Sequence, residues 1–150
     1  MTAKIICGFP GVGKSWLFNT QADLGLKVLD SDSSKFSWIS PGERNPEFPA
    51  NYIEHIKSNL EFSDIIMVST HKDVLNGLAD AGIDAVLVYP ERGLKEEYLQ
   101  RYRDRGSNDS FVELISNNWD NFVGGLESDD RFSNHIVLTS GQYMRDAIAN

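Results

Sequence analysis

Residues 8–15 read GFPGVGKS, a glycine-rich turn that closes on a lysine and a serine. Before it stands the apolar run AKIICGF, and after it the helix-like segment GKSWLFNTQADLG. G-x-x-x-x-G-K-[ST] between a strand and a helix is the phosphate-binding P-loop. Gly8, Gly11 and Gly13 let the backbone turn so that its N–H groups face inward on phosphate oxygens. The helix that opens at Lys14 adds the positive end of its dipole. Lys14 would reach the β- and γ-phosphates, and the Ser15 hydroxyl would ligate Mg²⁺. An ordinary glycine-rich turn would leave Lys14 unexplained. Gly8, Phe9, Pro10, Gly11, Val12, Gly13, Lys14 and Ser15 are therefore read as one nucleotide site.

A strand–turn–helix at the start constrains the rest of the chain. Apolar, β-branched runs (LKVLDSD, DIIMVST, DAVLVYP, HIVLTS) alternate with helix-like segments. Near-continuous apolar strands separated by helices predict a parallel sheet covered on both faces. NYIEHIKSNLEF carries Tyr52, Ile53, Ile56 and Leu60 at helical spacing, with Asn51 as its expected N-cap. KDVLNGLADAG predicts a helix stopped by Gly82. In FVELISNNWDNFVGGL the residues Phe111, Ile115, Trp119 and Phe122 lie at helical spacing and are expected in the core. Residues 33–50 hold Pro41, Pro46 and Pro49 and no periodicity, which predicts a long loop. The 150 residues suit a single domain, 1–150.

A net charge of −8 argues against a protein that coats nucleic acid, since a broad phosphate footprint needs a basic face. It leaves room for a small basic pocket, and Arg92, Lys95, Arg101, Arg103 and Arg105 form a local cluster. Cys7, the one cysteine, sits in an apolar run and is expected to be a small core residue. No apolar run approaches the roughly 20 residues of a membrane span. No charged segment leads into a long apolar one at the N-terminus, so a cytoplasmic location is expected.

The motif, the shortness of the chain and its layout resemble the small P-loop kinases. That resemblance implies a three-layer α/β fold with a five-stranded parallel sheet of order 2-3-1-4-5. It also implies ATP at the carboxyl ends of the strands. DSD (Asp30, Ser31, Asp32) is similar to the same element in shikimate-type P-loop kinases. By that likeness Asp30 helps hold the Mg²⁺ hydration shell, and Asp32 meets the acceptor hydroxyl as candidate base. The alternation of a strand puts the two carboxylates on one face, where Mg²⁺ would relieve their repulsion. The alternative is that DSDSS caps the next segment.

A kinase needs cations on the moving phosphoryl group and a way to exclude water. Arg101 and Arg105 in LKEEYLQRYRDRG are helical neighbours, and small P-loop kinases carry lid arginines in this region. The lid-like segment is about 91–110, with Gly106, Ser107 and Asn108 as its hinge or tip. The alternative is a solvated face with Glu97 pairing Arg101. TSGQY, with Gly141, occupies the position where related kinases pass backbone around adenine. A GTPase switch is disfavoured, because no Asp-x-x-Gly follows a strand and His71 displaces the spacing of a guanine reader. A large ATPase motor would close its third strand with an acid, where this chain has Ser69 and Thr70. A nucleotide-binding module without catalysis would leave DSD unexplained.

The acceptor belongs in the 33–50 loop, where Phe36 and Trp38 offer stacking surfaces and Arg44 a phosphate contact. The bland alternative is that the aromatics anchor the loop. GFPGVGKS, DSDSSKFSW, NPEFPANYI and VYPERGLKEEYLQRYRDRG together resemble small P-loop kinases of tailed bacteriophages. Some of these resemble deoxynucleoside monophosphate kinases, and others are 5-hydroxymethyluracil DNA kinases of thymidine hypermodification. The resemblance implies γ-phosphoryl transfer from ATP·Mg²⁺ to a hydroxyl, with the modified base in phage DNA as acceptor and the host cytoplasm as location. Deoxynucleoside monophosphates and small metabolites are the alternatives.

Overall fold

The chain is described by a computed structural model. It covers residues 4–14, 19, 25, 27–30, 38–40, 43–44, 46–48, 50–70, 72–132, 134–144 and 146, with backbone alone at 30, 38–40, 43 and 44. The strands are β1 (Lys4–Gly8), β2 (Val28–Asp30), β3 (Trp38–Ser40), β4 (Glu43–Arg44), β5 (Ile65–Ser69), β6 (Val86–Pro90) and β7 (Asn134–Leu138). The helices are α1 (Ala50–Asn59), α2 (Lys72–Asp80), α3 (Lys95–Asp104) and α4 (Asp109–Glu127), with a 3₁₀ turn at Arg92–Leu94 before α3.

Five strands form one parallel sheet in the order β2-β5-β1-β6-β7, which is 2-3-1-4-5 when its own strands are counted. The predicted α/β fold is the one observed. β1 lies at the centre, with Gly8 level with Ser69 on β5 and Val88 on β6. The carboxyl ends therefore share one edge, and the P-loop leaves from its middle. All five residues of β6 are buried, as are four of five in β1 and in β5. That is why these runs are apolar at consecutive rather than alternate positions. Cys7 is completely buried there, and burial pushes its thiol far above the usual cysteine range. It is a core residue, as expected.

Within 33–50, where a loop is predicted, β3 and β4 pair antiparallel, Trp38 opposite Arg44 and Ser40 opposite Glu43. Strands of three and two residues are too short to show a period, so no sequence pattern announces them. Asn51 is also not the N-cap. It lies inside α1, where its Oδ1 accepts from the Tyr52 amide. Gly82 ends α2 as predicted, at φ +71°. The Ile83 amide donates to the Leu78 carbonyl and the Gly82 amide to Ala79, a Schellman closure.

α3 and α4 pack against each other across an aromatic cluster. Phe9 meets Trp119 edge-on at 5.5 Å and Tyr98 at 6.4 Å. On α4 the buried positions are Val112, Ile115, Trp119, Val123 and Leu126. Phe122, expected in the core, is 40% exposed, because the apolar stripe drifts by one position and buries Val123 in its place. Gly106 at φ +83° and Asn108, which accepts from the Phe111 amide, join the two helices. The predicted hinge residues are thus a capped corner in this conformation.

Candidate active site

The P-loop is fixed from behind. Phe9 and Val12, counted with the nucleotide site on sequence, bury their side chains in the core. Their amides are also committed, Phe9 to the Val88 carbonyl and Val12 to the Phe9 carbonyl. Pro10 has no N–H to offer. Among the described residues the Gly11 and Gly13 amides have no protein partner. Both glycines have φ near +100°, at +92° and +100°, which a side chain would strain.

Every carbonyl of residues 8–12 is accounted for. Gly8 accepts from Lys14 Nζ at 2.9 Å, and Phe9 from the Val12 amide. Pro10 accepts from the Tyr102 hydroxyl at 2.7 Å, and Gly11 from Arg101 at 2.9 Å. Val12 accepts from the Met144 amide at 2.7 Å. With three successive carbonyls taken up by α3 and the segment after β7, the Gly11 and Gly13 amides are the loop donors left for a ligand. That is the electrostatic requirement of an anion cradle.

Beside the loop a cleft of about 320 Å³ is lined by Pro10, Gly11, Gly13, Lys14, Arg105 and Phe111. Lys14 and Arg105, both expected on sequence to be catalytic, line one cavity. Arg105 lies over the Tyr102 ring at 4.9 Å and donates to the Ser107 hydroxyl. Arg101 does not line this cleft. Its guanidinium lies over the Tyr98 and Tyr143 rings, at 4.3 and 4.0 Å, and is paired to Glu97 at 3.0 Å. The helical pairing weighed as the alternative for Arg101 is therefore present.

The basic cluster is dispersed. Arg92 is tied to Glu127, Arg101 is turned into the loop, Arg105 faces the cleft, and Arg103 is exposed. Gly141 lies beside Glu97, which accepts its amide at 3.0 Å. Ser15, Asp32 and Phe36 lie outside the described residues. Asp30 is placed by its backbone at the end of β2, and Trp38 and Arg44 by theirs on the β3–β4 pair.

Sequence reading missed Tyr98 and Tyr102. The signal was available: positions 98, 101, 102 and 105 follow the i, i+3, i+4, i+7 rule and define one face of α3, all four engaged with the loop or its cleft. The two tyrosines are chemically unequal. Burial pushes the Tyr98 hydroxyl up to about 12, and among the described residues it has no partner of hydrogen-bond geometry. Tyr98→Phe is expected to leave stability unchanged or raise it by about 1 kcal/mol. Tyr102→Phe orphans the Pro10 carbonyl and is expected to cost about 1–3 kcal/mol. Paired denaturant titrations check the contrast.

The Glu97 carboxyl is held below the usual glutamate range, first by the Ser140 hydroxyl, then by the Gly141 amide, with Arg101 adding to both. A carboxyl lowered on folding stabilises above its unfolded value and loses that contribution as pH falls through its folded value. The melting temperature of wild type minus that of Glu97→Gln should therefore be positive near neutrality. It should shrink as pH drops below about 4.3, the ordinary glutamate value.

No protein-family model and no curated protein matches the chain. Among solved structures, a tunicamycin resistance protein from Deinococcus radiodurans superposes with a TM-score of 0.61 at 17% identity, over 98% of this chain and 92% of that one. The chain has a P-loop kinase fold. An uncharacterized protein from Eubacterium ventriosum superposes with a TM-score of 0.50 at 14% identity, over 99% and 95% of the two chains. A shikimate kinase from Bacteroides thetaiotaomicron aligns at 0.48 and 13%, over 90% and 86%. At these identities the likeness is one of fold. Among the described residues no helix is long and apolar enough to cross a membrane.

Proposed function

We propose that the chain is an ATP-dependent phosphotransferase that moves the γ-phosphoryl group to a hydroxyl. The observation that carries this reading is a loop whose carbonyls are taken up by α3 and the segment after β7, with Lys14 and Arg105 lining one cleft beside it. Gly11 and Gly13 amides bind phosphate oxygens, and Lys14 leaves the Gly8 carbonyl for the β- and γ-phosphates. Arg105 stabilises charge on the transferring group, while Phe111 beside it keeps that end of the cleft apolar. Ser15 and Asp30 are hard oxygen donors that suit Mg²⁺, which when bound neutralises charge on the phosphate oxygens. The acceptor oxygen forms a bond to the γ-phosphorus, the bridge to the β-phosphate breaks, and Asp32 takes the hydroxyl proton. Gly141 and its neighbours pass the adenine.

The acceptor we favour is the 5-hydroxymethyl group of 5-hydroxymethyluracil in DNA, held by Phe36, Trp38 and Arg44. Its support is the likeness of DSDSSKFSW and the flanking motifs to phage kinases of that class. A base inside a duplex would have to leave the stack to reach Asp32. The test is one panel with γ-labelled ATP: hydroxymethyluracil DNA, ordinary DNA, deoxynucleoside monophosphates, shikimate-like alcohols, and tunicamycin, after the resistance protein whose fold the chain shares. Label confined to modified DNA supports the full reading. Label in another acceptor keeps the kinase and replaces the acceptor, and no transfer to any of them counts against a kinase.

A further inference from the structure

Arg101 occupies a place that a mobile phosphate-contacting arginine does not need. Only 12% of its side chain is exposed, and the guanidinium carbon lies over both the Tyr98 and the Tyr143 ring. Its edge donates to the Gly11 carbonyl at 2.9 Å, to the Gln142 carbonyl at 3.0 Å and to Glu97 at 3.0 Å. Withdrawing it would break three hydrogen bonds and two cation–π contacts together. Gly11, at φ +92°, has no side chain to hold its peptide in one orientation. The bond from Arg101 does this, keeping the carbonyl out and the loop's amide face in.

The carboxylate of Glu97 carries the same tie onward. It accepts from Arg101 and, on the segment after β7, from the Ser140 hydroxyl and the Gly141 amide. One carboxylate and one guanidinium therefore join two loops that are about 130 residues apart in the chain, at Gly11 and Gly141. We infer that Glu97 and Arg101 are positioning residues that couple the segment at 139–143 to the P-loop, so that order at one is felt at the other. This rests on the nucleotide reading of the P-loop and separates Arg101 from Arg105. Arg105 faces the cleft and contacts the ligand, and Arg101 acts through the loop.

Among the described residues Glu97 is hydrogen-bonded to Arg101, Ser140 and Gly141 and not to the P-loop, which makes it the sharper probe. Inorganic tripolyphosphate, which has no base, is titrated calorimetrically into wild type, Glu97→Gln, Arg101→Lys and the double variant. The amide resonances of Gly11 and Gly13 are followed in each free protein by NMR, with melting temperatures confirming the fold. Each single variant is expected to weaken tripolyphosphate binding about tenfold, the scale of one charge-assisted hydrogen bond. Glu97→Gln should shift both glycine resonances, and the double variant should be no weaker than the worse single, because one link is being cut twice. Should Arg101→Lys fail to fold, Glu97→Gln alone decides. Wild-type binding with unchanged affinity and unshifted glycines in Glu97→Gln overturns the coupling and leaves the nucleotide site standing. If wild type binds neither tripolyphosphate nor ATP, both fall.

Discussion

Lys14→Ala is expected to lower phosphoryl transfer by at least about 10²–10³-fold, the worth of one preorganised charge at developing phosphate charge. The fold should survive. In the folded protein Lys14 Nζ donates to the Gly8 carbonyl at 2.9 Å, and a bond from a charged donor contributes about 1.5–3 kcal/mol. The carbonyls of residues 9–12 keep their own partners, so the cradle should persist and some ATP should still bind. The measurement is label transfer per folded molecule, beside a melting curve. Turnover near wild type would remove the phosphate role assigned to the loop.

Asp32→Asn is the second large effect expected. The amide keeps the size of the carboxylate but cannot take a proton. If Asp32 positions and deprotonates the acceptor hydroxyl, kcat should fall by about 10²–10⁴-fold with little change in ATP affinity. Asp30→Asn should instead raise the Mg²⁺ requirement, since it removes a carboxylate that orients metal waters. Phosphoryl transfer proceeds through a loose transition state with little early proton movement, so the difference between the two variants is more telling than either magnitude. If both merely lower the melting temperature, with turnover per folded molecule unchanged, DSD is a capping element and the assignment is wrong.

Much of the fold was legible in the residues. β1, β5 and β6 are buried on both faces, and a strand so placed can only be apolar at consecutive positions. The glycine spacing of GFPGVGKS states backbone geometry directly, because only glycine adopts the dihedrals found at Gly11 and Gly13 without strain. Arg101 was harder. The sequence shows its charge and its spacing from Arg105, but not that Tyr143, far along the chain, packs against its guanidinium. A residue's role through tertiary contact has no local pattern. The β3–β4 pair and the exposed Phe122 escaped for smaller reasons, the one too short to show a period and the other a single position out of phase.

The order in which the chain is made gives the braced loop a further meaning. A ribosome releases residues 8–14 first, but the groups that hold the Pro10, Gly11 and Val12 carbonyls come from Tyr102, Arg101 and Met144. β1 itself waits for β5 and then β6 before it has neighbours on both sides. These contacts are far apart in sequence, which makes their formation slow and late. On the proposed nucleotide reading, a nascent chain that carries the complete GFPGVGKS motif has no braced phosphate cradle until about 130 further residues have emerged. Ligand capture then reports that synthesis has passed Met144, and an internal truncation before α3 should leave the motif intact and the binding lost.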